Sequence, residues 1–285
     1  MKTSFIIPAR NERSDYLYKT LDSIRENAHD YEIIIGFDGP HNAFLYPHSS
    51  NINIIQYPNI VGIKTNINTL AASASGKYIF KLDAHCSVSE GITEILQENM
   101  KDDWIVMPRF YILNRETWEW QDDRHYDYFY LSCPFTDSRG FRFKAGGHWP
   151  QRTAEREVDH RYDIDNTPQM HGSGWFMTKD RFFELGGYPL TDPLGHAQEP
   201  LWLGLRNWFA GGRLVVNKKC WYAHLHQDTR DKGFALGHRN EERTYNIVAN
   251  HFMRDPKMEW FLNKFMPMPT WPDNWKELLD KWKTT

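Results

Sequence analysis

Short apolar runs closed by turn residues alternate with stretches of helical spacing along the first third of the chain. Residues 4–8 form a run of this kind, and residues 15–27 carry Leu17, Leu21 and Ile24 at helical intervals. Residues 32–37 repeat the buried-strand pattern and stop at Asp38-Gly39-Pro40, and residues 53–57 give a third strand. A helix over 65–75 and a strand over 78–82 follow, then a short helix over 91–100 and a strand over 104–110. Strands apolar along their whole length, separated by helices, predict a mainly parallel, doubly wound α/β sheet. In such a sheet ligands bind beyond the carboxyl ends of the strands. That places Pro8, Ala9, Arg10, Asn11, Glu12, Asp38 and Asp83 around one crevice.

Beyond this the period breaks. Residues 115–168 are polar and aromatic, interrupted by Gly140, Gly146, Gly147 and Pro150, and read as a long irregular loop or lid. Regular pattern resumes with a strand over 174–177, helices over 179–185 and 199–209, and a strand over 213–216; Asp273 or Asn274 is placed to cap a last helix. The reading is one domain over 1–285, with halves at 1–110 and 111–254, the lid at about 115–168 and a helical tail over 255–285.

Composition narrows the choice. The net charge of −3 argues against a general nucleic-acid coat. No apolar run approaches the roughly 20 residues that span a bilayer, and the first residues lack signal-peptide architecture, so no transmembrane segment and a cytoplasmic location are expected. Three cysteines without a CxxC pair fit a reducing compartment and no structural zinc.

The sharpest chemical signal is Lys81-Leu82-Asp83-Ala84-His85, a carboxylate and an imidazole one residue apart just past an apolar strand. Residues i and i+2 project to the same side there, so both can hold one cation; a turn Asp followed by a surface His is the plain alternative. A second signal is Arg139, Arg142, Lys144, Arg152, Arg156 and Arg161 interleaved with Phe141, Phe143 and Trp149. Such a loop could close over a diphosphate or track a nucleic acid, or be a salt-bridged surface loop, since Glu155, Glu157 and Asp159 dilute it. Trp260, Trp271, Trp275 and Trp282 read as a helical tail packed on the body.

The motifs in order carry a family resemblance. Residues 4–12, Asp38-Gly39 and the Gly76-to-Cys86 run with its Asp83-Ala84-His85-Cys86 resemble the opening of a GT-A glycosyltransferase. The Asp-x-His-Cys form is similar to the polypeptide N-acetylgalactosaminyltransferases rather than to Asp-x-Asp relatives. Met170 to Phe176, Glu184-Leu185-Gly186, Gln198 to Trp202, Leu205 to Trp208 with Gly211-Gly212, and Cys220 to His224 extend the match to about residues 4–250.

This resemblance implies a GT-A, nucleotide-diphospho-sugar-transferase fold and a divalent cation, Mn²⁺ or Mg²⁺, held by Asp83, His85 and His224. It implies a catalytic domain whose nucleotide-binding half is 1–110 and acceptor half 111–254, with nucleotide contacts from residues 8–12, Asp38, Lys64, Asp83 and Gly172, and Glu199 beside the acceptor. The implied activity is transfer of a sugar from a nucleotide-sugar, a UDP-sugar foremost, to a hydroxyl of a protein, glycan or hydroxylated DNA base, with retention. An inverting family 2 transferase, a sugar-nucleotide nucleotidyltransferase and a non-catalytic binding protein are the alternatives. The chain departs from the pattern after His224, where Leu225-His226-Gln227 replaces the usual Arg context, and before Glu199, where the paired glycines are incomplete.

Overall fold

The computed structural model describes residues 2–41, 51–137, 140–142, 145–190, 199–226 and 247–284; of 135–137, 140–142, 145, 146 and 284 it describes the backbone alone. Strands β1 (Thr3–Ala9), β2 (Tyr31–Phe37), β3 (Ile52–Gln56) and β4 (Tyr78–Leu82) lie parallel in the order β3-β2-β1-β4. Helix α1 (Ser14–Asn27) and helix α2 (Ile63–Ser73) make the crossovers. Successive strand residues point to opposite faces, which explains why these strands are apolar throughout. Phe5, Ile7, Ile33 and Ile35 pack with Leu17, Leu21 and Ile24 of α1, whereas Ile6 and Ile34 pack with Ile67, Leu70 and Ala71 of α2.

The turn after β4 leads into β5 (Cys86–Val88), α3 (Ile92–Glu98) and β6 (Trp104–Leu113). The stretch from 115 to 168 is not the irregular loop expected. It holds β7 (Trp120–His125) antiparallel on β6, then β8 (Phe129–Leu131), β9 (Phe135–Asp137), β10 (Gly140–Arg142), β11 (Ala145–His148), α4 (Pro150–Glu155) and β12 (Ile164–Asn166). β9 pairs with β10 and β8 with β11, while β12 lies antiparallel on the outer edge of the main sheet. These strands are short, and β7 is polar and solvent-facing, so they lack the apolar runs that mark a buried strand.

β13 (Gly174–Thr178) runs antiparallel between β4 and β6. Helices α5 (Lys179–Glu184) and α6 (Glu199–Phe209) follow, and β14 (Arg213–His224) lies parallel to β6. The expected strand at 213–216 is only the start of β14. A register shift between Asn217 and Trp221 carries it onward, and its last residues pair with β5, Ala223 opposite Ser87 and His224 opposite Cys86. Helix Lys257–Phe265 buries Met258, Phe261, Leu262 and Phe265, and helix Trp275–Thr284 follows. Trp271 and Trp275 are buried, Trp282 packs against the same core, and Trp271 Nε1–H donates to the Leu131 carbonyl at 2.7 Å. Trp260 stays half exposed. Among the described residues, no helix is long and apolar enough to cross a membrane.

Candidate active site

Two backbone hydrogen bonds bring the site together. The Asp83 amide donates to the Ser173 carbonyl at 2.8 Å, and the Leu225 amide donates to the His85 carbonyl at 3.0 Å. The exits of β4 and β14 and the entry to β13 are thereby clamped around one point. There a carboxylate oxygen of Asp83 and ring nitrogens of His85 and His224 lie within 4.8 Å of one another. The two imidazoles are 4.8 Å apart between centroids, and His224 Nε2 is 3.2 Å from Asp83 Oδ2.

The site fits a divalent cation on three observations. His224 is buried, and among the described residues neither ring nitrogen has a partner in hydrogen-bond geometry, although Nε2 lies 3.2 Å from the Asp83 carboxylate. A buried nitrogen in that state is costly unless a ligand takes it. Burial also holds the His224 imidazole well below its usual range, so it is neutral with a lone pair to give. Burial pushes the Asp83 carboxyl up, but the Lys81 ammonium and then the neighbouring His224 imidazole outweigh it and hold the carboxyl well below its usual range.

The surrounding groups orient these three. Glu12 Oε2 sits 2.9 Å from His85 Nδ1, the kind of carboxylate partner that orients an imidazole and leaves its other nitrogen available to a ligand. Lys81 ion-pairs with Asp83 and donates to the Gly172 carbonyl at 2.7 Å. A Cβ added at Gly172 would lie 3.5 Å from the Pro200 ring, so the start of α6 adjoins this point. Glu199, the first residue of α6, is 8% exposed, and among the described residues its Oε1 has no hydrogen-bond partner. His171 stacks on Phe110 at 4.7 Å and lies 5.7 Å from His224 between ring centroids. Burial, with His226 adding to it, brings its imidazole down to about 4.

The other expected residues lie at the neighbouring strand ends and at the start of α2. Pro8 and Ala9 are buried within β1, paired with Gly36 and Phe37, while Arg10 is half-buried and Asn11 is exposed in the left-handed region at φ 48°. Asp38 Oδ1 accepts from the Val61 and Gly62 amides at 2.6 and 3.1 Å. It thereby fixes the entry to α2, where Gly62 has φ 88°. Lys64 is buried on the first turn of α2.

The basic loop does not present Arg152, Arg156 and Arg161 as an open cationic face. Arg152 lies over the Tyr128 and Trp149 rings at 5.1 and 5.2 Å and donates to the Asn166 carbonyl. Arg156 pairs with Asp165 and covers Tyr162, and Arg161 pairs with Asp159. Arg139 and Lys144 lie outside the described residues, as do the side chains of Phe141, Arg142 and Phe143. Sequence reasoning missed a second group, His125, Asp127 and Glu157, also within 4.8 Å. Arg109 grips both oxygens of Asp127 at 2.9 and 2.8 Å and reaches Glu157 at 3.4 Å, so this cluster is a matched ion-pair network. It also missed the Glu12–His85 and Lys81–Gly172 contacts.

Sheet order and site together define a GT-A fold. The structure aligns over 99% of this chain with GalNAc-T7 in complex with UDP, GalNAc and Mn²⁺, at TM-score 0.69 and 18% identity, covering 54% of that chain. It aligns equally widely with S. aureus TarS 1-349 in complex with UDP-GlcNAc, at TM-score 0.60 and 12% identity, covering 70% of that chain. Residues 4–162 match the glycosyl transferase family 2 profile, and the chain belongs to that family. It is 26% identical over 271 residues to the Homo sapiens polypeptide N-acetylgalactosaminyltransferase 13, covering 88% of this chain and 47% of that protein. It is 27% identical over 232 residues to the Caenorhabditis elegans polypeptide N-acetylgalactosaminyltransferase 5, covering 75% of this chain and 35% of that protein. The chain thus spans a third to a half of the length of these relatives.

Proposed function

We propose that this chain is a metal-dependent glycosyltransferase that moves a sugar from a UDP-sugar to an acceptor hydroxyl with retention of configuration. The observation that carries the reading is the meeting of Asp83, His85 and His224 within 4.8 Å at the carboxyl end of the sheet. Family 2 membership and fold neighbours solved with UDP and UDP-GlcNAc support it. One carboxylate and two imidazoles suit Mn²⁺ better than Mg²⁺ or Ca²⁺. When bound, such a cation supplies positive charge beside the diphosphate as it leaves.

The chain's own residues supply the rest. Glu12 holds the His85 tautomer, and Lys81 ties the Asp83 carboxylate to the Gly172 carbonyl, so the ligands need no reorganisation when the donor enters. Residues 8–12, Asp38 and Lys64 are read as the nucleotide side of the cleft. Glu199, buried with an unpartnered oxygen, is read as the carboxylate that accepts a hydrogen bond from the incoming hydroxyl and orients it. The acceptor is read as a protein, glycan or hydroxylated nucleic-acid base.

The same unpartnered Glu199 oxygen favours a second reading, inversion with Glu199 as general base. NMR of the product anomer separates the two. The primary test is turnover and binding of UDP-, GDP-, TDP- and CMP-sugars with and without Mn²⁺, on wild type and Asp83→Ala. Slow Mn²⁺-dependent turnover of one donor, lost in the variant, is the expected result. No binding of any sugar nucleotide with metal present sinks the proposal.

A further inference from the structure

The imidazole of His171 has a role in this cleft that its position among hydrogen bonds dictates. The Ser173 backbone amide donates to His171 Nδ1 at 3.2 Å. An amide N–H can only donate, so Nδ1 carries a lone pair and no proton. The Ser173 hydroxyl, 2.5 Å from the same nitrogen, therefore also donates to it. Having directed its proton there, Ser173 Oγ accepts from the Tyr222 hydroxyl at 3.0 Å. The direction of the whole chain is fixed: Tyr222 O–H to Ser173 Oγ–H to His171 Nδ1. Ser173 and Tyr222 are 2% and 1% exposed, so water does not compete for these bonds.

A neutral imidazole has one proton, and here it must sit on Nε2. Both hydrogen bonds of the ring go to Nδ1, and none of the described residues takes Nε2. Phe110, stacked at 4.7 Å and 20°, and Phe129 at 5.6 Å hold the ring in place. The ring lies beside His224 and in the field of Asp83 and Lys81, at the end of the cleft where the diphosphate would lie.

We infer that His171 contacts substrate directly, presenting Nε2–H as a fixed, uncharged hydrogen-bond donor to an oxygen of the nucleotide-sugar, with Ser173 and Tyr222 as the positioning residues that set its tautomer. This rests on reading the cleft as a nucleotide-sugar site. An uncharged donor preset in a half-buried cleft needs no reorganisation when the ligand oxygen arrives, and it discriminates against ligands with no oxygen there.

Nitrogen-15 spectra of the full chain labelled at histidine, assigned with His171→Gln, read the tautomer without any turnover. The expected tautomer at neutral pH is Nε2-protonated, with its N–H resonance shifting when Mg²⁺ and a UDP-sugar are added. In kinetics, His171→Gln places an amide nitrogen where Nε2 was and retains most of kcat/KM. His171→Phe keeps the stack on Phe110 but loses the donor, and falls about 10- to 100-fold. Mn²⁺ affinity, measured calorimetrically, stays the same in both variants. An Nδ1-protonated ring, or His171→Phe at wild-type kcat/KM, overturns the inference. UDP-sugar binding that leaves the His171 resonance unmoved also overturns it while leaving the function standing; no sugar-nucleotide binding at all overturns both.

Discussion

Glu12 and His85 stand 73 residues apart in sequence and 2.9 Å apart in space, a carboxylate at the exit of β1 gripping the imidazole at the exit of β4. His85 thus enters the site with Nδ1 already committed to Glu12, which leaves its other nitrogen for the proposed cation. Removing such a carboxylate partner typically weakens metal affinity about 10- to 100-fold. Glu12→Ala should therefore bind Mn²⁺ about 10- to 100-fold more weakly by calorimetric titration, with an unchanged unfolding midpoint in the metal-free protein. Wild-type affinity in this variant would mean that His85 is not a ligand.

Asp38 tests whether a residue read as a nucleotide contact is instead part of the frame. Its Oδ1 accepts from two amides, Val61 and Gly62, at the start of α2. Losing bonds to a charged acceptor while leaving buried amides unpaired costs about 2 to 3 kcal/mol. Asp38→Ala should lose about that much stability in urea unfolding. If stability holds within about 0.5 kcal/mol and UDP affinity alone drops, Asp38 serves the nucleotide and not the helix entry.

Acid sensitivity should centre on Glu32, which links β2 to β1 and to the segment before β4. Burial pushes its carboxyl up, but the Ser4 hydroxyl, the Ser75 amide, the Lys2 ammonium and the Ser75 hydroxyl together bring it down to about 2. A group depressed in the folded state adds stability above its unfolded value, near 4.3, and loses it as pH falls toward the folded value. The wild type should therefore lose stability between about pH 5 and pH 2, and Glu32→Gln should show a flatter profile over that window. Equal slopes in the two proteins would assign acid unfolding to other carboxylates.

How much of this could be read from sequence follows from which interactions are local. β1, β2 and β4 are buried on both faces, so Ile33-Ile34-Ile35 and its counterparts announce themselves as uninterrupted apolar runs. The Asp83 and His85 pair is legible for the same reason, since two residues of spacing at a strand end fix their common side. β14 is only half legible, because Lys218 and Lys219 at its register shift break the pattern before His224 is reached. β7 is invisible because an exposed edge strand needs no apolar face. The Glu12–His85 contact has no local signature at all: the parallel order β2-β1-β4 brings the two strand ends side by side.

Gly174 opens β13 directly beneath the Tyr222 ring, and the two residues should be energetically inseparable. A Cβ at Gly174 would lie 2.8, 2.9 and 3.0 Å from Cε2, Cζ and Cδ2 of that ring. Neither partner has room to yield, because Gly174 is paired with Leu82 of β4 and Tyr222 is 1% exposed. Overpacking of this kind costs about 1 to 3 kcal/mol. Any retreat of the ring also stretches the Tyr222–Ser173 hydrogen bond and with it the positioning of His171. Gly174→Ala should thus lower both stability and kcat/KM. Tyr222→Leu, on its own destabilising through the space it leaves, supplies the volume that the new methyl needs. The double variant should be more stable than the sum of the single effects predicts, by more than about 1 kcal/mol in a urea-unfolding cycle. It should not regain kcat/KM, since no phenol remains to direct the Ser173 hydroxyl. Additivity within about 0.5 kcal/mol would show that the sheet relaxes around the methyl without moving Tyr222, and would remove steric contact as the reason for glycine at this position.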